Sequence, residues 1–238
     1  MPSTLVGTSG WSYDHWAGDF YPEGLKPAER LRFYATKMPT VEIDQTFYRL
    51  PTEKAVRAWR EAVGPGFAFA VKGSRLITHF RRLRDVEGAV EGFMRRVSLL
   101  GEALRVVLWQ LPPSLTRDDE LLDRFLSRLG RDVRHAVEFR HASWLVSGSF
   151  EVLRAHGAAL VHVSGDGMPA DLTPTADFVY VRFHDTASYH GRYLEPALRP
   201  WAAFLREQAR AGRDAYVYFN NDAGCHAPHD AARLTAML

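Results

Sequence analysis

The 238-residue chain carries 30 lysines and arginines against 28 aspartates and glutamates, a formal net charge of +2. That balance is too even for a protein whose main partner is the nucleic-acid backbone. With 46% hydrophobic and 24% charged residues, the composition is that of an ordinary globular chain able to bury a large core, and no apolar run approaches the roughly 20 residues of a membrane span.

The N-terminus runs straight into an apolar strand and has no signal-peptide pattern. A lone cysteine, Cys225, excludes an internal disulfide and fits a reducing compartment. These features predict a cytoplasmic protein of one domain, residues 1–238.

In chain order, Leu5–Thr8 reads as a first strand, followed by an aromatic loop through Tyr21. Pro27 opens a helical pattern in which Leu31, Tyr34, Ala35 and Met38 share a face. Thr40–Asp44 is a second strand, and Thr52 to Val63 a helix with Ala55, Trp59 and Ala62 inward. Phe67–Lys72 is a third strand, and a basic loop, Gly73 to Arg84, follows it. Asp85 is placed to cap a helix with Val86, Val90, Phe93, Val97 and Leu100 inward. Leu104–Leu111 is the fourth strand, and Thr116 caps the helix after it. Arg134–Arg140 is the fifth strand, with a short helix from Ser149 to His156. Ala158–Val163 is the sixth, and its link to Asp177–His184, the seventh, has no helical period. A helix from Pro200 to Ala211, the strand Asp214–Asn221 and a helix from Ala227 to Leu238 complete the chain.

Eight strands, seven with a following helix pattern, argue for parallel strands with right-handed crossovers. The expected fold is an α/β (β/α)8 TIM barrel with an irregular link between strands six and seven. The rival, an open doubly wound sheet, usually carries a glycine-rich nucleotide turn. Gly7-Thr-Ser-Gly10 is not that fingerprint, and no nucleotide-cofactor motif occurs elsewhere.

Active sites of such barrels lie at the C-terminal strand ends. Alternate strand residues share a face, so each strand's polar terminal residues can be assigned together. Glu42 and Asp44 share a face on strand two, and Ala68, Ala70 and Lys72 on strand three. Val106, Leu108 and Gln110 do so on strand four, Ala136, Glu138 and Arg140 on strand five. Tyr180, Arg182 and His184 share one on strand seven, and Tyr216, Tyr218 and Asn220 on strand eight. In each case the opposite face is apolar and suits the helices, so the polar faces are aimed into the barrel.

The resulting mouth cluster holds three acids and three permanent cations, with His184, Gln110 and Asn220 beside them. A buried ion must be paired, and this set can be. Glu138–Arg140 and Glu42–Lys72 could therefore be structural ion pairs, or the cluster could be catalytic. Trp11, Tyr13, Trp16, Phe47, Tyr48, Trp144, Tyr189 and Tyr193 follow strands on the mouth side. They read as stacking platforms for a ligand or as an apolar lid. The basic loop (Arg75, His79, Arg81, Arg82, Arg84) reads as a solvated charge run or an anion site. His226 and His229 are spaced like a weak metal pair, and Cys225 has no partner base in sequence.

Several blocks resemble the YecE-like family: Gly7-Thr-Ser-Gly-Trp-Ser-Tyr13, Val41-Glu-Ile-Asp-Gln-Thr-Phe-Tyr-Arg-Leu-Pro51, Phe69-Ala-Val-Lys72 with Ile77-Thr-His79, Gln110-Leu-Pro-Pro113, Glu138-Phe-Arg-His-Ala-Ser-Trp144, Tyr180-Val-Arg-Phe-His184 and Tyr218-Phe-Asn-Asn-Asp222. The resemblance implies a (β/α)8 barrel and brings no established reaction, since that family is a domain of unknown function. Asp44 stands where the family often has Asn, and Asp185 follows His184 where Gly is usual.

The reading these residues favour is an enzyme acting on a small polar or anionic substrate, with hydrolysis as the first reaction class. Glu138 or Glu42 would be general acid or base, and Lys72, Arg140 and Arg182 would meet negative charge. His184 would shuttle a proton. Gln110, Asn220, Asp44, His79, Trp11, Tyr48 and Trp144 would contact substrate. A retaining glycosidase needs its two carboxylates about 5 Å apart, and strands two and five separate Glu42 from Glu138. Glu42, Asp44, Glu138 and His184 are ligand types for a divalent metal, but the three nearby cations compete for the carboxylates, so no metal is expected there. The alternative is a nucleic-acid or nucleotide-binding protein using the basic loop and the mouth aromatics. A scaffold without chemistry is the third reading.

Overall fold

The computed structural model describes residues 2–184 and 191–238. Eight strands form one closed parallel barrel in sequence order: β1 Thr4–Ser9, β2 Thr40–Ile43, β3 Ala68–Lys72, β4 Leu104–Gln110, β5 Arg134–Glu138, β6 Ala159–Ser164, β7 Phe178–Phe183 and β8 Asp214–Phe219. β8 returns to β1 in parallel register, Leu5 beside Tyr216 and Gly7 beside Tyr218. Among the described residues seven α-helices follow seven of the strands: α1 Arg30–Tyr34, α2 Glu53–Ala62, α3 Glu87–Val97, α4 Asp119–Leu126, α5 Ser147–Ala155, α6 Glu195–Arg210 and α7 His226–Ala236. β6 leads to β7 without a helix, as the sequence led us to expect.

The alternation along each strand sorts the core into two layers. Outward residues such as Val41, Ile43, Phe69, Val71, Val107, Trp109, Val137, Val179, Val181 and Phe183 join the helices' apolar faces. Inward residues Ala70, Val106, Leu108, Ala136, Val161, Tyr180, Tyr216 and Tyr218 fill the barrel. Both layers are almost fully excluded from water. This is the packed interior expected of a closed eight-stranded sheet. At the N-terminal end Arg134 plugs the barrel: its Nη1 donates to Asp214 Oδ2 at 2.7 Å and to the Tyr216 hydroxyl at 3.0 Å, and its guanidinium lies over the Phe178 ring.

Tyr34, from α1, is inserted between β1 and β2. Its hydroxyl accepts from the Thr8 amide at 2.9 Å and donates to the Thr40 carbonyl at 3.0 Å. The approach requires Gly7, since a Cβ there would stand 2.0 Å from the Thr40 carbonyl oxygen.

Local details depart from the sequence reading at helix starts. Asp118, not Thr116, caps α4, its Oδ1 accepting from the Leu121 amide at 2.9 Å. Asp85 does not cap α3; it lies in the left-handed region at φ 50°, and Val86 holds the cap position. α6 starts at Glu195, with Pro196 in the first turn where its missing N–H costs nothing, and Pro200 lies inside the helix. Its buried face is Leu198, Ala202, Phe204, Leu205 and Gln208. The basic loop contains a helical turn, Leu76–Phe80, that buries Ile77 and Thr78.

Candidate functional site

Register lifts a ring of polar side chains to the C-terminal end of the barrel. Ser9 pairs with Glu42, Glu42 with Ala70, Gln110 with Glu138, and Val163 with Arg182. Because these residues alternate with outward apolar neighbours, they all face the axis.

Arg182 is the hub, at 1% exposure. Its Nη2 donates to Glu42 Oε1 and its Nη1 to Glu138 Oε2, both at 2.7 Å. Glu42 also accepts from Ser9 Oγ and from the Tyr180 hydroxyl, each at 2.6 Å. The second oxygen of Glu138 accepts from Arg140 Nε. Burial alone would raise the Glu138 carboxyl, but the guanidiniums of Arg182 and Arg140 outweigh it and hold the group well below the usual carboxylate range. Burial, together with the Glu42 charge, pushes the Tyr180 phenol up, so it stays a donor. The result is a fixed floor of alternating charge.

His184 is set just above. Burial and the Arg182 charge push its imidazole down to about 3, so it is neutral. Its Nε2 lies 3.3 Å from Arg140 Nη2 and 3.5 Å from Arg182 Nη1, both obligate donors. Nε2 is therefore placed to accept, and on the other side of the ring Nδ1 lies 3.3 Å from Asn220 Nδ2. Tyr193 holds the His184 carbonyl through a hydroxyl donating at 2.6 Å.

Lys72 and Asp44 are different. Both are half-buried, yet among the described residues neither has an ion pair within 4 Å. The Lys72 ammonium rests 4.4 Å from the centre of the Phe47 ring. Burial and then Arg182 lower it to about 8, against the opposing pull of Glu42 and Glu138. Burial and then Glu42 raise Asp44, against Lys72. Neighbouring His79 is lowered by burial and by Lys72, and its ring packs edge-on to Phe47. Gln110 Oε1 is buried without a hydrogen-bond partner among the described residues. The mouth thus combines paired ions below with titratable groups above that, among the described residues, have no ion-pair partner.

The structure sorts the sequence candidates accordingly. Glu42, Lys72, Gln110, Glu138 and Arg182 lie on the strands, Asp44, Arg140, His184 and Asn220 one or two residues past the strand ends, and His79 and Tyr48 flank them. Tyr48 is 65% exposed with Arg75 over its ring. Two expected ligand platforms are placed elsewhere. Trp144 is fully buried, stacked on Phe139 at 4.8 Å, with its indole N–H donating to the Leu115 carbonyl at 2.8 Å. Trp11 is buried edge-on against Trp59. Trp11 turns onto α2 and Trp144 onto the chain that follows β4 and β5, away from the charged mouth. Trp16 and Tyr193 are buried as well; Tyr189 and Asp185 lie outside the described residues.

One guanidinium spans Glu42 and Glu138 and fills the gap a glycoside would need. Ser9 was missing from the sequence candidates, and strand alternation would have found it; Tyr180, already placed on the inward face, joins the floor as a donor to Glu42, and Phe47, one of the expected mouth aromatics, lies under the Lys72 ammonium.

Among the described residues no helix is long and apolar enough to cross a membrane. The family model described as "Protein of unknown function DUF72" matches residues 5–238. The chain is 25% identical over 271 aligned residues to UPF0759 protein YunF of Bacillus subtilis, covering 98% of this chain and 94% of that protein. It is 30% identical over 147 residues to UPF0759 protein YecE of Escherichia coli strain K12, covering 61% of this chain and 52% of that protein. A solved DUF72 family protein from Thermotoga maritima superposes with a TM-score of 0.87 at 30% identity, covering 99% of this chain and 98% of that one. The whole-length match, the barrel and the earlier YecE-like motifs agree: this chain belongs to the DUF72 family.

Proposed function

We propose that the protein is an enzyme that moves a proton on a small anionic or polar substrate held at the barrel mouth. The observation that carries this reading is the Lys72 ammonium, half-buried beside Asp44 with no carboxylate within 4 Å among the described residues. A fold seeking only stability would pair that charge or remove it.

The roles follow from the environments. Glu42 and Glu138 are balanced by Arg182 and Arg140, and they form the rigid base of the site. His184, held neutral, and Asn220 offer hydrogen bonds in fixed orientation. Arg140, with its side chain 18% exposed, presents a guanidinium edge to an incoming anion. Asp44, raised, suits a general base, and Lys72, lowered, a general acid near neutral pH. This moves the acid–base role from Glu138 and Glu42, the sequence expectation, to the pair above them. Hydrolysis and proton abstraction beside a carbonyl both need such a pair.

The test is a panel of small phosphorylated and carboxylated substrates assayed with wild type, Lys72→Met and Asp44→Asn. Turnover of one class, lost by at least about 100-fold in both variants, supports the reading. Turnover unaffected by either variant overturns it.

A second reading, nucleic-acid or nucleotide binding, has one observation in its favour. Arg75 lies 5.3 Å from the ring centres of both Tyr48 and Phe80, which are 65% and 68% exposed. Such a strip stacks bases. Against it, Arg82 donates to Ser114 and Arg84 pairs with Asp118, so part of the basic loop is spent on the protein itself. Salt-sensitive retention of single-stranded oligonucleotides, lost in Tyr48→Ala, would support this reading.

A further inference from the structure

The first and last β/α units meet at a second cluster that shares no residue with the mouth. After β1 the chain turns sharply, the Phe20 and Tyr21 amides both donating to the Trp16 carbonyl at 3.0 and 2.9 Å. The turn carries Asp19 to the start of α7, where its Oδ1 lies 2.7 Å from His229 Nε2. Cys225 completes the group. One ligand atom from each of Asp19, Cys225 and His229 lies within 4.8 Å of the other two. Cys225 is 2% exposed, whereas the Asp19 and His229 side chains are 53% and 49% exposed. A cleft of about 570 Å³, lined by Asp19, Glu23, Lys37 and His229 among others, opens beside them.

The donor set is selective. Thiolate, imidazole and carboxylate together suit a borderline-soft ion such as Zn²⁺, whereas Mg²⁺ and Ca²⁺ would leave the sulfur unused. Tetrahedral bonds of roughly 2.0–2.3 Å set neighbouring ligand atoms about 3.3–3.8 Å apart. The Asp19–His229 contact need only open slightly to admit the ion. Burial and then the Asp19 charge push the Cys225 thiol up to about 11, with the Phe20 backbone amide pulling the other way, so the sulfur is a thiol before the ion arrives. His226, which the sequence spacing pairs with His229, is engaged elsewhere, its Nδ1 accepting from Arg192 Nε at 3.2 Å.

We propose that Asp19, Cys225 and His229 bind one Zn²⁺-type divalent cation, with water from the adjoining cleft in the fourth position, fastening the loop after β1 to the last helix. Binding releases the Cys225 thiol proton to water, moves the His229 ring proton from Nε2 to Nδ1 and breaks the Asp19–His229 hydrogen bond, while the ion forms bonds to the Cys225 sulfur, His229 Nε2 and an Asp19 carboxylate oxygen; no electrons are transferred.

The experiment is a titration of the full chain with Co²⁺, a spectroscopic stand-in for Zn²⁺. One equivalent should produce the visible bands of tetrahedral Co²⁺ and a thiolate-to-cobalt charge-transfer band, and Zn²⁺ should bleach both. Loss of an outer contact alone weakens metal binding about 10–100-fold, so His229→Ala and Asp19→Asn should weaken Co²⁺ by at least that much. Cys225→Ser should abolish the charge-transfer band, and His226→Ala should change nothing. Asp19 and His229 are exposed, so their variants test the site even if Cys225→Ser fails to fold. A titration without a thiolate band, or one that His229→Ala and Asp19→Asn leave unchanged, overturns the proposal.

Discussion

Arg182 Nη1 donates to Glu138 Oε2 at 2.7 Å, with the two side chains 1% and 0% exposed. Neither ion reaches water, so each is stable in the barrel only while the other is present. Removing one partner of a buried pair typically costs 3–5 kcal/mol. Glu138→Gln and Arg182→Met should each lose about that much in denaturant unfolding, with the slope unchanged. A loss below about 1 kcal/mol would show that the pair is not the structural base of the mouth.

The same contact sets the behaviour in acid. The folded Glu138 carboxyl is held below its ordinary value of 4.5. Its stabilisation is therefore fully present above about 4.5 and is lost as pH falls from there towards the depressed folded value. Wild type should lose stability steeply below about pH 4.5, and Glu138→Gln less steeply. Parallel stability–pH curves for the two proteins would contradict this.

Lys72 carries the opposite sign. Its folded value is depressed, from 10.5 to about 8, so the charged form is penalised in the folded state. The penalty is complete below about pH 8 and is relieved as pH rises towards 10.5. Lys72→Met should raise stability at pH 7 by about 1–3 kcal/mol, since one pKa unit is 1.36 kcal/mol, while abolishing turnover. A gain in stability at the expense of activity is the mark of a functional strain; a variant less stable than wild type at pH 7 would count against it.

Trp144 separates packing from binding. Because it is buried against Phe139 and bonded to the Leu115 carbonyl, Trp144→Ala should cost about 3–5 kcal/mol and leave affinity for inorganic phosphate at the mouth unchanged. A selective loss of phosphate binding in a stable Trp144→Ala protein would restore it as a ligand platform.

The barrel was legible because its signals are periodic. The two-residue alternation in Tyr180-Val-Arg-Phe-His184 and Val106-Val-Leu-Trp-Gln110 separates inner from outer faces with no tertiary knowledge. The same alternation placed nine polar residues at one end. What it did not carry was pairing. Arg182 could have served Glu42, Glu138 or a substrate; only the closed register shows it bridging both acids and leaving Lys72 on the Phe47 ring. Loop residues were least legible. Trp11 and Trp144 have the composition of a binding surface, and their direction depends on partners the local pattern does not name, Trp59 for one and Phe139 with the Leu115 carbonyl for the other. Asp19, Cys225 and His229 come together only because β8 closes on β1. The helix starts were misread for a local reason: Thr116 and Asp85 have capping chemistry, but Asp118 lies nearer the first turn, and Asp85 adopts a left-handed backbone.

The central claim is that Lys72 titrates near neutrality because it awaits an anion. An NMR titration of its side-chain amine, assigned with Lys72→Arg, tests this most directly. The account predicts a midpoint near 8 that moves upward when inorganic phosphate is added. A midpoint near 10.5, indifferent to phosphate, would contradict it.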